Sequence, residues 1–388
     1  MEKRLLEVLE QIRGMPISVS EGNSLDVSCV ETSDVERLRS NPVVSVHMLA
    51  YNHSSYIRQA IEGVLSQKID FDFELVIGED CSQDDTRVIC LEYQKKFPDK
   101  VRVLWAEKRV GIRENYFRTL ACCRGEYVAF CEGDDYWIDD GRLQRQVDVM
   151  REHPSVGMCG ARNKVYIQDD GRLLSGGDGV TREGVYSGRE IFHNVTNGAS
   201  VDGVRFGMFF FQTSSLLVRR QVLDLAMDRF SEAFSLQLSL CDLLLKQTVS
   251  FLSDVWLSND VVSVYRKNQG GITVQNNSLV LLDATVLRIY MMVVVSGWRV
   301  EDAMIHYRTR IMLLWILIVE SCNSQEQRLL YKHIRTSKCL CSIFSFVGAL
   351  PIMLLMKMGC FYGAFAHILR RGCIKLAKWC DKRNVSHK

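Results

Sequence analysis

Neither glycine signature of the common nucleotide-binding folds is present in this 388-residue chain, which contains no Gly-x-Gly-x-x-Gly and no Gly-x-x-x-x-Gly-Lys-Ser/Thr. Any nucleotide must therefore be held without a dinucleotide turn or a P-loop. Cys-x-x-Cys is missing too. Although there are 14 cysteines, the closest spacings, Cys122-Cys123 and Cys339-Leu340-Cys341, suit neither zinc nor dithiol chemistry, and the cysteines read as small apolar fillers. A large excess of one charge is lacking: 48 Lys and Arg against 46 Asp and Glu leave +2, which argues against nucleic acid as a partner. The opening run Met1 to Glu10 carries acidic residues inside its apolar stretch and does not read as a signal peptide, so the expected setting is the reducing cytoplasm.

What is present is ordinary globular composition, 47% hydrophobic and 24% charged, in a chain long enough for one catalytic domain and a smaller appendage. Leu5, Val8, Leu9 and Ile12 share one helical face, and the polar, aperiodic residues 17–40 read as a linker. From Val43 the pattern alternates. Strands are expected at Val43 to Leu49, Phe73 to Ile77, Val101 to Trp105 and Tyr127 to Cys131, with helices at Ile57 to Leu65, Val88 to Phe97 and Arg113 to Cys123. Such alternation predicts an α/β fold, a mostly parallel sheet with helices on both faces. Ligands of such sheets lie off the carboxyl ends of the strands. The residues there are Tyr51 and Asn52, Glu79 and Asp80, and Glu132, Asp134 and Asp135, with Gly111 and Arg113 opening the third helix.

The chain is organised around Tyr127 to Asp140, where a buried-looking strand runs into Glu132, Asp134 and Asp135. Carboxylates so crowded repel one another and raise each other's pKa unless a cation sits among them. A solvated acidic turn is the alternative reading of the cluster alone.

Val-Val-Ser-Val-His-Met-Leu-Ala-Tyr-Asn (43–52), Phe-Glu-Leu-Val-Ile-Gly-Glu-Asp-Cys-Ser-Gln-Asp-Asp-Thr (73–86) and Cys-Glu-Gly-Asp-Asp-Tyr-Trp (131–137) resemble the successive motifs of the family 2 glycosyltransferases. The resemblance implies the GT-A fold, a Rossmann-like domain that transfers a sugar from a nucleotide donor with inversion. It implies that Tyr51, Glu79 and Asp80 hold the donor's nucleoside, that Arg113 lies near the diphosphate, that Asn52, Glu132, Asp135 and Arg266 also bind the donor, and that Glu132-Gly133-Asp134 takes the Asp-x-Asp position with Asp134 as metal ligand. Glu stands where the family has Asp at positions 79 and 132.

Further along, Val156 to Gly160 reads as a strand, Ser187 to Glu190 as a capping box opening a short helix to His193, and Met208 to Val218 as a strong strand. Its hydroxyl centre, Thr213 to Ser215, lines an acceptor cleft on one reading and is satisfied core on the other. Asp242 lies in a helix apolar nearly all round, where a lone carboxylate is costly unless paired or functional. The resemblance extends here: Asp242 takes the place of the catalytic base, and Tyr265-Arg266 follows as the expected Tyr-Arg pair, with Cys241 and Asn268 departing from the pattern. A divalent ion at Asp134, Mg²⁺ or Mn²⁺, would neutralise the leaving diphosphate with help from Arg113 or Arg266. A helix-end or salt-bridged Asp242 is the structural alternative.

Beyond Gly270-Gly271, residues 279–295 and 303–319 read as long apolar helices, and 339–356 runs eighteen residues without a charge, interrupted by Pro351. From 332 onward eleven basic residues face one acidic residue, Asp381. Anionic headgroups would attract such a tail at about 1 kcal/mol per residue, and a helical appendage packed on the catalytic domain is the other reading. The expected organisation is a helix and linker (1–40), a GT-A domain (41–275) and a basic, helical, membrane-associated region (276–388). The favoured function is transfer from a nucleotide-diphosphate sugar to a lipid-linked or polysaccharide acceptor, with peripheral contact at the cytoplasmic membrane face. The alternative is a catalytically silent module that binds nucleotide or glycan in an assembly. A nucleotidyltransferase would use the carboxylates but leave Asp242 and Tyr265-Arg266 unexplained.

Overall fold

The computed structural model describes residues 29–176, 182–197, 200–201, 204–205, 211–235, 241–268 and 271. The anticipated N-terminal helix, the helices after 276, the uncharged segment and the basic tail lie outside the described residues. Val19–Val274 form one compact unit.

The first described strand departs from expectation. β1 (Val30–Thr32) lies within the supposed linker and pairs antiparallel with β4 (Val101–Trp105). Its three residues, Val-Glu-Thr, are largely exposed and too few to show an apolar period. Charge holds it instead: Glu31 takes a two-point contact from Arg102, Nε at 2.8 Å and Nη2 at 2.9 Å, while the third arm of Arg102 reaches buried Glu74 at 3.0 Å.

β2 (Val44–Ala50) and β3 (Phe73–Glu79) are buried along their whole length, as strands covered on both faces must be. Between them α1 (Ile57–Leu65) buries Ile57, Ala60, Ile61 and Val64, the stripe its periodicity predicts. α2 (Thr86–Lys96), β4, α3 (Ile112–Ala121) and β5 (Tyr127–Phe130) complete the alternation. The pairs β4-β3, β3-β2 and β2-β5 are all parallel. Because β2 is flanked by β3 on one side and β5 on the other, the strand order reverses there, and a crevice opens at the carboxyl ends of β2 and β5.

The second half builds outward from β5. β6 (Tyr136–Trp137), α4 (Arg142–Glu152) and β7 (Val156–Ile167) come next; β7 runs well past the Gly160 expected as its end. β8 (Arg172–Gly176) and β9 (Gly184–Tyr186) attach to its neighbourhood, α5 (Gly188–Asn197) follows, and β10 (Ser200–Val201) and β11 (Val204–Arg205) form a separate hairpin. A strand was expected from Met208 to Val218. Residues 208–210 lie outside the described residues; of the rest, Thr213–Ser215 is a 3₁₀ turn and β12 (Leu217–Arg219) is a strand, antiparallel between β5 and β7. α6 (Arg220–Arg229), α7 (Ser231–Ser235), α8 (Cys241–Leu252) and β13 (Asp254–Lys267) close the described chain, with β13 parallel to β7 and antiparallel to β6. Among the described residues, eight cysteines are free thiols and no helix is long and apolar enough to cross a membrane.

Candidate functional site

Glu132-Gly133-Asp134-Asp135 leaves β5 at the switch point. The glycine is required by contact: a Cβ at Gly133 would stand 2.5 Å from the Leu49 carbonyl oxygen, which already accepts the Gly133 N–H at 2.9 Å. This backbone is thereby laid against the end of β2. Glu132 and Asp134 remain half-buried, while Asp135 is 2% exposed and turned to internal partners. Ser214 Oγ donates to Asp135 Oδ2 at 2.6 Å, and the Arg266 N–H donates to Oδ1 at 2.9 Å. Burial and the neighbouring Asp134 still push the Asp135 carboxyl up from its ordinary value. Burial likewise raises Glu132 well above the carboxylate range, reinforced by Asp134, Asp135 and Asp242.

Arg266 binds this loop from β13. Its Nε donates to the Asp134 carbonyl at 2.8 Å and its Nη2 to Gln59 Oε1 at 2.8 Å, beneath the rings of Tyr56, Tyr136 and Tyr166 at 4.8, 5.1 and 5.5 Å. The guanidinium is thus committed to shaping the loop. Asn268 Nδ2 donates to Asp134 Oδ2 at 3.0 Å.

The 3₁₀ turn joins this loop to the next functional residue. Ser214 Oγ accepts the Glu132 N–H at 3.0 Å, and the Ser214 carbonyl accepts from Trp137 Nε1 at 2.8 Å and from buried Arg142 Nη1 at 2.6 Å. One residue earlier, Thr213 Oγ1 donates to Asp242 Oδ2 at 2.8 Å. Asp242 is not the lone carboxylate its sequence suggests. Lys246, one turn along α8 and 2% exposed, reaches Asp242 Oδ2 at 2.8 Å and Thr213 Oγ1 at 3.3 Å. Burial would raise the Asp242 carboxyl, but the Lys246 charge and the Thr213 hydroxyl outweigh it and hold the group below its ordinary value. The side chain keeps 27% exposure.

At the ends of β2 and β3 the candidate donor residues take varied roles. Asp80 accepts the Val110 N–H at 2.8 Å and the Gly111 N–H at 3.1 Å, with Arg109 at 3.5 Å. Gly111, at φ +96°, has the left-handed conformation that lets this loop turn into α3. Arg109 also lies over the Tyr51 ring at 3.8 Å. Asn52, itself at φ 55°, accepts the Gln83 N–H and donates to Ser82. Glu79 is fully buried; its Oε1 takes the Ser82 N–H at 2.5 Å and its Oε2 pairs with Arg87 at 2.6 Å. Its charge therefore organises the 79–87 loop. Arg113 donates to the Phe234 carbonyl at 2.7 Å and pairs with Glu114 at 3.2 Å.

The structure thus joins Glu132, Asp135 and Asp242 through one hydroxyl turn, ties Arg266 to Asp134 and Asp135, and sets Tyr51, Asn52 and Asp80 at neighbouring strand ends. Sequence reading missed Lys246 and Arg109. The i, i+4 spacing of Asp242 and Lys246 was the available signal for the first. Asp134 and Glu132 supply the hard oxygen donors that Mg²⁺ or Mn²⁺ takes, and Asp134 Oδ1 has no hydrogen-bond partner among the described residues. Among the described residues no group of three or more His, Cys, Asp or Glu is arranged to hold an ion.

This strand order and site define a GT-A domain. The fold is shared with Staphylococcus aureus TarS 1–349 in complex with UDP-GlcNAc, at TM-score 0.53 and 17% identity over 79% of this chain and 83% of that one. Residues 45–217 match the family model described as Glycosyl transferase family 2. Bacillus subtilis TuaG, named as a teichuronic acid biosynthesis glycosyltransferase, is 35% identical over 29% of this chain and 43% of its own length. Escherichia coli chondroitin synthase is 31% identical over 38% of this chain and 20% of that protein. A Mycobacterium bovis relative, Mb1547, is 36% identical over 32% of this chain; the match spans about a third (36%) of that relative's length.

Proposed function

We propose that the chain is an inverting glycosyltransferase that moves a sugar from a nucleoside-diphosphate donor to a hydroxyl of a lipid-linked or polysaccharide acceptor. The observation that carries this reading is the Thr213–Ser214 turn, which fixes Asp242 with one hydroxyl and the Glu132–Asp135 loop with the next. A proton acceptor and a diphosphate-side carboxylate cluster are thereby held on one rigid element. The family match, and the UDP-GlcNAc complex of the TarS neighbour, support a nucleotide sugar as donor. TuaG supports an envelope glycan as acceptor class.

In the reaction the acceptor oxygen forms its bond to the anomeric carbon as its proton passes to Asp242, and the anomeric C–O bond breaks with its electron pair going to the diphosphate. Attack from the face opposite the leaving group inverts the anomeric centre. A divalent ion, when bound at Asp134 with Glu132 nearby, supplies Lewis-acid neutralisation of the departing diphosphate. Arg266 acts through the loop, holding Asp134 and Asp135 where the diphosphate would lie. Tyr51 offers a ring face to the nucleoside, and Asp80 holds the loop beside it through the Val110 and Gly111 N–H groups. The basic tail would bring the domain to anionic lipid at the cytoplasmic face of the membrane, where a lipid-linked acceptor resides.

The test is a panel of UDP-, GDP- and dTDP-sugars incubated with the full chain and Mn²⁺ or Mg²⁺, with nucleoside diphosphate release measured before and after chelation. Chelator-sensitive release from one donor is expected. Donor binding without turnover for any acceptor supplied would favour the silent module.

A further inference from the structure

The base assigned above has a cation built against it, and the geometry of that contact is selective. Both side-chain partners of Asp242, the Lys246 ammonium at 2.8 Å and the Thr213 hydroxyl at 2.8 Å, converge on Oδ2, and Lys246 also contacts Thr213 at 3.3 Å. A lysine that is 2% exposed on the first turns of a buried helix carries a large desolvation cost, which a 2.8 Å contact to one carboxylate offsets. The buried residues near it on α8 are apolar, as Leu243, Leu244, Leu245 and Val249, or uncharged and polar, as Gln247, Thr248 and Ser250, so the charge this ammonium meets on the helix is the Asp242 carboxylate.

We propose that Lys246 is a positioning residue for glycosyl transfer: with Thr213 it locks Oδ2 of Asp242, so that Oδ1 is presented to the acceptor hydroxyl and the carboxylate stays ionised. The inference rests on Asp242 being the base. The groups facing that carboxylate are Lys246 and Cys241 from α8, Thr213 from the 3₁₀ turn, Glu132 from the loop after β5 and Tyr116 from α3, whose buried hydroxyl has no hydrogen-bond partner. Of these, Lys246 alone is cationic. Without it, burial disfavours the ionised base. The direction of the Asp242 shift agrees, since the Lys246 charge is what overcomes burial.

A purely structural lysine and a positioning lysine give different pH behaviour. The carboxylate must be unprotonated to accept, and Lys246 lowers its pKa. Removing the cation therefore raises the pKa and moves the acid limb of kcat to higher pH. The experiment compares wild type, Lys246→Met and Lys246→Arg, using whichever of UDP-glucose, UDP-galactose and UDP-N-acetylglucosamine gives metal-dependent release. Expected for Lys246→Met is an acid limb displaced upward by about one pH unit or more, with donor KM changed less than about twofold and the rate recovering above the limb. Lys246→Arg, which keeps the cation, should return the limb toward wild type. A folded Lys246→Met variant with an unmoved limb, or a uniform loss at every pH, overturns the proposal. If Lys246→Met does not fold, carbon-13 titration of the Asp242 carboxyl in the wild-type chain decides: a pKa below that of an ordinary aspartate supports the pair, and one at or above it overturns it. Asp242→Asn at full activity would sink the base assignment itself; an inactive Asp242→Asn beside an unmoved Lys246→Met limb sinks only the role of Lys246.

Discussion

Arg266 and Asp135, 131 residues apart in sequence, meet through the Arg266 N–H and Asp135 Oδ1 at 2.9 Å. That bond, with the Arg266 Nε contact to the Asp134 carbonyl, makes the geometry of the acidic loop depend on the last described strand. Replacing Arg266 with Met should destabilise the domain by roughly 2–3 kcal/mol, the worth of buried charge-assisted hydrogen bonds. It should also lower kcat together with donor affinity. Denaturant melts and donor titration check both; normal affinity in a destabilised variant would remove Arg266 from the site.

Asp134→Asn should abolish metal-dependent donor binding and transfer while leaving the fold intact. The substitution removes the charge without changing shape, and the Asn268 contact involves only one of the two oxygens. Calorimetric titration of Mn²⁺ with and without UDP reads the outcome. Near-normal turnover would refute the assignment.

For Asp242→Asn the expected loss is about two to four orders of magnitude in kcat, the usual worth of a positioned base, with donor KM little changed. Were donor affinity to fall instead, the residue would be structural.

Gly133→Ala tests the backbone of the acidic loop. The added methyl meets the Leu49 carbonyl oxygen at 2.5 Å, and neither strand end can yield cheaply. A destabilisation of about 1–3 kcal/mol and a fall in transfer activity are expected, seen in the melting temperature and the rate of donor turnover. A fully active, unshifted variant would show that the loop tolerates displacement.

His47 gives a pH dependence. Burial lowers its pKa from 6.5 to about 4, while its Nε2 donates to the Tyr116 carbonyl at 3.0 Å. The unfolded chain therefore binds a proton at this site between pH 6.5 and about 4 that the folded chain refuses. Stability from this residue is complete above that window and declines as pH falls through it, by roughly 3 kcal/mol in all. Chemical denaturation of wild type and His47→Asn at pH 7 and 4.5 should show a smaller acid loss in the variant; equal losses would contradict the assignment.

The alternation of strand and helix from Val43 to Phe130 was legible in the sequence because burial on both faces of a strand and on one stripe of a helix imposes local periods. So was the acidic loop, since three carboxylates at a strand end stand out in any order of reading. β1 was not: its three residues are short of any period and largely exposed, and it is held by Arg102, 71 residues from Glu31. The Thr213–Ser215 turn read as strand because its apolar flanks carry the period while its hydroxyls answer to Asp135, Glu132 and Asp242.

By itself the sequence determined the fold class, the candidate residues and the family likeness, all of which depend on residue type and spacing along the chain. Tertiary structure decided how those residues are used. Glu79 is turned inward to Arg87, Arg266 is spent on the loop, and Asp242 is paired with Lys246 and joined by Thr213 to the Glu132–Asp135 loop. Such choices follow from which polar groups become buried together, and a carboxylate takes whichever donor the folded backbone brings within 3 Å, however far away that donor lies in sequence.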